Sequence, residues 1–152
     1  MLRRLFCALL CCAAAAVSAD PAAPPVPAVY QRVQVEPTKT SIYIGSVAMT
    51  MPVFSRKGVL YESTYHARVF PYFFSNEDGR LYIEITESQL QKLRRGEAVD
   101  FTGRAIRDDG DLRRVEGRAM PHDAVTGRIK VRVFVTKKIQ LIFNTTYRFV
   151  GA

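Results

Sequence analysis

The sequence predicts an all-β domain, because residues of alternating polarity recur along the chain and turn signals lie between them. Apolar and polar residues alternate with a period of two in the stretches 42–44, 81–85, 99–105, 114–119, 129–135 and 140–148. Pairs that favour tight turns are Lys57-Gly58, Asp78-Gly79, Asp109-Gly110 and Thr126-Gly127. Strands joined by short turns predict an antiparallel meander.

The number of strands and the small residues on their dry faces bear on how the sheet closes. About seven to eight strands with one dry face each can form a small barrel or a two-sheet sandwich, and we prefer the barrel. Small residues lie on the dry faces of two neighbouring strands: Gly103, Ala105, Gly117 and Ala119. They either leave room inside a barrel or make space for large neighbours such as Phe101, and the second interpretation is preferred.

One segment has a helical pattern instead. Thr86 precedes a glutamine by three residues, which is the signal of a capping box. Leu90 and Leu93 then lie three residues apart, and Gly96 can end the helix. We therefore expect one short helix near residues 87–95, which closes one end of the sheet structure or covers an edge.

The first nineteen residues have the features of a signal peptide. Arg3 and Arg4 precede an apolar stretch at 5–17, and small residues at 17–19 suit cleavage after Ala19. We expect the protein to be exported, to the periplasm or as a secreted protein. All cysteines of the chain fall inside this segment: Cys7, Cys11 and Cys12. A lipid anchor on one of them is the less favoured alternative, since leucines rather than small residues precede them.

The rest of the chain is predicted to form one domain behind a spacer. Residues 20–35 are rich in proline and alanine, a composition that favours an extended tether. Residues 36–152 are assigned to a single β-barrel-like domain, with folded structure beginning between Tyr30 and Ser41. No segment after residue 19 is apolar for long enough to be a transmembrane helix.

Motifs for enzymatic chemistry are absent from the sequence. It contains no nucleophile elbow, no zinc-protease helix motif and no phosphate-binding glycine loop. The two histidines, His66 and His122, lie in different predicted elements. The acidic run at 108–111 resembles part of a calcium loop, but Ala119 stands where its last ligand is expected. We therefore predict a protein that is not an enzyme, with no cofactor and no metal site.

An aromatic segment between residues 60 and 74 is the predicted ligand-binding region. Its candidate residues are Tyr61, Tyr65, His66, Phe70, Tyr72, Phe73 and Phe74. Pro71 cannot donate a ladder hydrogen bond, so the strand is expected to lie at an edge or to bulge there. An exposed aromatic face would indicate a ligand or partner. The alternative is that the short helix or residues 30–35 cover it.

A second candidate surface is basic. The chain has 22 basic and 14 acidic residues and a formal net charge of +8. Basic residues share the wet face of neighbouring predicted strands: Arg104, Arg114, Arg118, Lys130 and Arg132. Such a face could meet an anionic envelope component, such as lipid headgroups or polysaccharide, or it is simply solvated. Nucleic acid is disfavoured for an exported protein.

Together these patterns predict an exported, non-enzymatic β-barrel-like domain. Its expected ligand is an apolar or amphipathic molecule such as a lipid, bound by the aromatic segment. The alternative is a structural or interaction module of the cell envelope that docks on an anionic partner through the basic face.

Overall fold

A computed structural model of the chain describes residues 26–151. The strands are β1 (Arg32–Val35), β2 (Thr38–Ile42), β3 (Gly45–Thr50), β4 (Phe54–Lys57), β5 (Leu60–Phe70), β6 (Glu77–Glu84), β7 (Val99–Arg107), β8 (Leu112–Pro121), β9 (Thr126–Phe134) and β10 (Gln140–Phe149). One α-helix, α1 (Glu87–Arg94), and two 3₁₀ turns, Ala28–Tyr30 and Phe73–Ser75, complete the elements. The predicted signal peptide and the first part of the spacer, residues 20–25, lie outside the described residues.

The strands form a closed antiparallel barrel, as the sequence predicts. From β5 to β10 each strand pairs with the next, β10 pairs with β1, β1 with β4, and β4 with β5. The β5–β6 ladder completes this ring of eight strands. The two extra strands, β2 and β3, form a hairpin, and β3 pairs with the half of β5 that β4 does not reach. The barrel is therefore confirmed over the sandwich.

The barrel begins at β1, inside the range of residues 30–41 where the sequence places the start of folded structure but before the predicted domain boundary. β1 lies within the segment assigned to the spacer, and Val33 is paired with Phe149 of the last strand. The barrel therefore includes residues 32–35, so its start lies before the boundary predicted at residue 36. Because β1 is short, only a few of its residues alternate in polarity, and this pattern is too short to predict a strand.

The connections alternate between two ends of the barrel. One end carries the β4–β5 turn, α1 and the β8–β9 loop, and we call it the closed end. The other end carries four connections, at 43–44, 71–76, 108–111 and 135–139, and we call it the open end.

Helix α1 covers the closed end of the barrel. The sequence predicts that the helix either closes one end or covers a sheet edge, and the first arrangement is the one observed. Thr86 and Gln89 form the capping box, and the Leu90 and Leu93 side chains are buried beneath the helix. Tyr30 also belongs to this end, since its hydroxyl donates to the Ala124 carbonyl oxygen at 2.9 Å. Among the described residues, neither α1 nor any other helix is long and apolar enough to cross a membrane.

Two predicted turn signals lie inside strands. Gly79 belongs to β6 and Gly127 to β9. A Cβ at Gly79 would overlap the Ile106 carbonyl oxygen, and one at Gly127 would lie 2.6 Å from a ring carbon of Tyr147. These glycines therefore permit close packing inside a strand. A residue pair such as Asp78-Gly79 does not by itself distinguish a glycine of this kind from one in a turn. Conversely, alternation predicts a strand at residues 42–44, but residues 43–44 form the turn between β2 and β3.

Candidate functional site: the barrel cavity

The barrel encloses a cavity of about 680 Å³. Its wall is almost entirely apolar, because the dry faces of all ten strands point toward it. Its main apolar members are Val33, Val35, Val47, Met49, Phe54, Tyr61, Tyr65, Leu81, Ile83, Phe101, Ala105, Val115, Ala119, Ile129, Val131, Val133, Leu141, Phe143, Tyr147 and Phe149. An eight-stranded barrel is wide enough either to be filled by side chains or to hold one small ligand. Here space remains.

The floor of the cavity is sealed by α1 and its neighbours. Leu90, with a relative exposure of 1%, and Leu93 line the cavity from the helix. Tyr61 Oη donates to the Tyr30 carbonyl oxygen at 2.6 Å, which ties β5 to the 3₁₀ turn before β1. Arg56 approaches Glu87 of the helix, with 3.7 Å between Nη1 and Oε2. The Arg56–Glu87 contact and the two buried leucines hold the helix against the barrel end.

The cavity reaches the surface at the open end. Tyr43 and Ile44, in the β2–β3 turn, line the cavity although both are exposed, Tyr43 completely. Other exposed apolar side chains belong to the connections and strand ends here: Phe70, Tyr72, Phe73, Phe74, Leu112 and Ile139. Exposed apolar side chains grouped in this way usually mark a ligand or partner site. The open end is therefore an apolar mouth.

A charged cluster lies in the wall near this mouth. Arg113 Nη2 donates to Glu77 Oε1 at 3.3 Å, and Arg107 Nε lies 3.5 Å from the same oxygen. Arg113 Nη1 also donates to the Val135 carbonyl oxygen at 3.1 Å. Arg113 and Glu77 both line the cavity, and the Arg113 side chain is only 16% exposed. The cluster therefore adds polar groups to one end of an otherwise apolar cavity.

Two polar atoms of this region have no hydrogen-bond partner among residues 26–151. They are Tyr65 Oη and Arg113 Nε, and both are buried. Burial, reinforced by the nearby negative charge of Glu77, raises the pKa of Tyr65 to about 12. Its hydroxyl therefore keeps its proton at neutral pH and can donate a hydrogen bond. Buried donors without acceptors are uncommon and call for an explanation.

The aromatic candidates of the sequence divide between the cavity and its mouth. Tyr61 and Tyr65 are buried in the wall. Phe70, Phe73 and Phe74 are exposed at the open end, and Tyr72 lines the cavity there. The strand ends at Phe70, and Phe73 lies in the 3₁₀ turn that follows. The structure thus brings Tyr61, Tyr65 and Tyr72 to the cavity and leaves Phe70, Phe73 and Phe74 exposed at its open end.

His66 faces away from the cavity. It is exposed on the outer face of β5, and its Nδ1 lies 2.6 Å from Asp78 Oδ1. Hydrogen bonds from His66 and then Arg68 lower the pKa of Asp78 below its usual value. The described residues contain no group of three or more potential metal ligands.

The basic candidates lie together on the outer surface of β7, β8 and β9. Arg104 is paired directly with Arg114, and Arg118 with Lys130. Acidic residues interrupt the surface, since Arg118 Nη1 lies 3.0 Å from Asp100 and Arg114 Nε 3.5 Å from Glu116. These five basic side chains therefore lie on the side of the wall opposite to the cavity.

Sequence reasoning missed Glu77, Arg107 and Arg113 as site residues. A signal for them exists, because each lies in phase with the dry face of its strand. Arg113 precedes the buried Val115 by two residues, and Arg107 follows the buried Ala105 by two. A charged residue in phase with an apolar face at a strand end is a usable sign of a polar group directed into a cavity.

Comparison with known proteins adds no further assignment: no protein family, curated protein or solved structure matches this chain.

Proposed function

We propose that this protein is an exported, non-enzymatic carrier that holds one apolar or amphipathic molecule inside its barrel. The observation that carries the proposal is the cavity of about 680 Å³ with its apolar wall. This volume is within the range of roughly 300–1,000 Å³ that is usual for small-molecule sites.

The packing of ordinary protein interiors supports this function. Cores are normally filled to the density of organic crystals, with few voids larger than a water molecule. Here Ala105 and Ala119 border the cavity at positions where larger side chains would fill it. A sequence selected only for stability would gain by filling this space, because unfilled apolar volume destabilises a fold.

The difference between the two ends of the barrel supports a carrier, which takes up and releases its ligand, rather than a protein that encloses its ligand permanently. The floor is closed by α1, whereas Tyr43 and Ile44 border an opening. A ligand can therefore enter and leave at the open end without unfolding the closed one. The signal-like segment 1–19 supports an exported location for the carrier.

The proposal is tested by binding of a neutral apolar probe, N-phenyl-1-naphthylamine, whose fluorescence rises in an apolar site. Substitution Ala119→Phe places a ring in the cavity, and we expect it to weaken probe binding about tenfold, equivalent to about 1.4 kcal/mol. The native mass of the purified protein is measured in parallel, and a ligand carried from the source would appear as a discrete adduct.

The matched control is Ala48→Phe. Ala48 lies between Val47 and Met49, which both line the cavity, so its own side chain is on the outer face. This variant should keep the probe affinity of the parent protein within about twofold. Circular dichroism and thermal unfolding verify that both variants are folded. No probe binding by the parent protein, or equal binding by both variants, would overturn the proposed function.

A further inference from the structure

We propose that the cavity selects single-chain amphiphiles with a carboxylate head, and that Tyr65 Oη and Arg113 Nε bind this head near the mouth. The inference rests on the carrier function proposed above and specifies its ligand class. It depends on the two buried donors that lack acceptors within residues 26–151.

Tyr65 is directed into this region by the packing of the wall. Its side chain is 3% exposed and lines the cavity. On the neighbouring strand β6, Gly79 has no side chain, and a Cβ there would lie 2.9 Å from a Tyr65 ring carbon. Gly79 is paired in turn with Arg107 of β7. The Tyr65 ring therefore lies over Gly79, on the side of the barrel that carries the two arginines.

Arg113 is held in place while one of its donors remains free. Its two terminal nitrogens donate to the Val135 carbonyl oxygen and to Glu77. Nε is buried and has no hydrogen-bond partner in the described part of the chain. A fixed guanidinium with one unused N–H is a pre-organised donor, because the side-chain entropy of positioning it has already been lost.

The charge balance inside the wall favours an anion. Arg107 and Arg113 both face the single carboxylate of Glu77. Asp109 and Asp111 also contact Arg107, and Asp111 Oδ2 lies 3.8 Å from Arg113 Nη1, but both aspartates are more than half exposed, so that water screens their charge. The partly buried groups therefore carry one positive charge in excess.

A carboxylate satisfies both donors at once. Its two oxygens accept hydrogen bonds, and bonds to an ionised acceptor are about twice as strong as those between neutral groups. The apolar remainder of the cavity then receives the hydrocarbon chain toward α1. The head lies near the water-accessible mouth, where an ionised group loses the least hydration.

The test compares lauric acid with methyl laurate as displacers of N-phenyl-1-naphthylamine at pH 8. The two share the same chain, and only the acid is ionised. We expect the parent protein to bind the acid about tenfold more tightly than the ester. Tyr65→Phe and Arg113→Met should each reduce this ratio severalfold. Tyr65→Phe is the milder change, since the hydroxyl that it removes has no partner among the described residues.

Tyr82→Phe is the matched control, because Tyr82 lies between Leu81 and Ile83, which both line the cavity, so that the hydroxyl it removes is on the outer face of β6. It should leave the acid-to-ester ratio unchanged. Equal displacement by acid and ester in the parent protein would overturn the head-group inference while the carrier function stands. Displacement by neither, with no probe binding, would overturn the carrier function itself. A ratio unaffected by Tyr65→Phe and by Arg113→Met would overturn the assignment of these two residues.

Discussion

At the scale of single residues, the small side chains of β7 and β8 serve two purposes. A Cβ on Gly117 would overlap the Phe101 ring, so this glycine makes space for a large neighbour. Ala105 and Ala119 instead border the cavity. The sequence offered these two purposes as alternatives, and the barrel uses both.

Gly117→Ala is expected to lower the free energy of unfolding by about 1–3 kcal/mol, the usual cost of overpacking. The penalty comes from the displaced Phe101 ring, so it should shrink when the ring is replaced in a Phe101→Leu background. Urea unfolding of the four proteins of this double-mutant cycle measures the coupling. An equal penalty in both backgrounds would contradict the proposed contact.

Alternation marks each charged residue of the cluster on a dry face, but the meeting of these residues at one place could not have been predicted from the sequence. Glu77 begins β6 and Arg113 lies near the start of β8, with β7 between them. Their contact requires long side chains that reach across the inner face of that strand. Alternation places each residue on a dry face, but it does not tell which other strand ends lie opposite.

At the scale of elements, α1 is predicted well because its signal is local. Gln89 Oε1 accepts from the Thr86 backbone N–H at 2.8 Å, and Thr86 Oγ1 accepts from the Gln89 N–H at 3.3 Å. Both residues lie within one helical turn, so nothing beyond the segment itself is needed to recognise the start. The aromatic segment is the opposite case, because the strand stops at Phe70 although aromatic residues continue.

Thr86→Ala should lower the free energy of unfolding by about 0.5–2 kcal/mol, because it removes the acceptor of the helix cap. Leu90 and Leu93 depend on this helix for their position in the cavity floor. Thr86→Ser keeps a hydroxyl and should remain within a few tenths of a kcal/mol of the parent, on the order expected for equivalent caps. Chemical denaturation separates the two variants, and equal stability of both would show that the cap contributes nothing.

At the scale of the whole molecule, barrel closure is the feature that the alternation of polar and apolar residues does not predict. The β1–β10 pairing joins Val33 to Phe149, almost at opposite ends of the described chain. The number of strands made a barrel reasonable, whereas a sandwich has the same local patterns. The cavity and its mouth follow from closure, and so neither could be derived from the strands taken one by one.

Closure also buries several tyrosines together in the barrel wall. Burial raises the pKa values of Tyr61, Tyr65 and Tyr147 to about 12. The folded state therefore favours the neutral phenol, whereas the unfolded chain ionises near pH 10. Below about pH 10 both states hold these protons, so the stabilisation is complete. Between about pH 10 and 12 only the unfolded state loses them, so stability falls as pH rises.

We expect urea unfolding to show this loss as a decrease of roughly 1–3 kcal/mol per buried tyrosine across that range, at about 1.4 kcal/mol per pKa unit. The chain contains no tryptophan, so absorbance near 295 nm reports tyrosine ionisation directly. Tyr61→Phe removes one of the three groups and should make the alkaline decrease shallower, even though its lost hydrogen bond lowers stability at neutral pH. Lysine deprotonation in the same range is common to both proteins, so the difference between their slopes isolates the tyrosine contribution. An unchanged slope in the variant would show that the Tyr61 hydroxyl ionises equally in the folded and unfolded states.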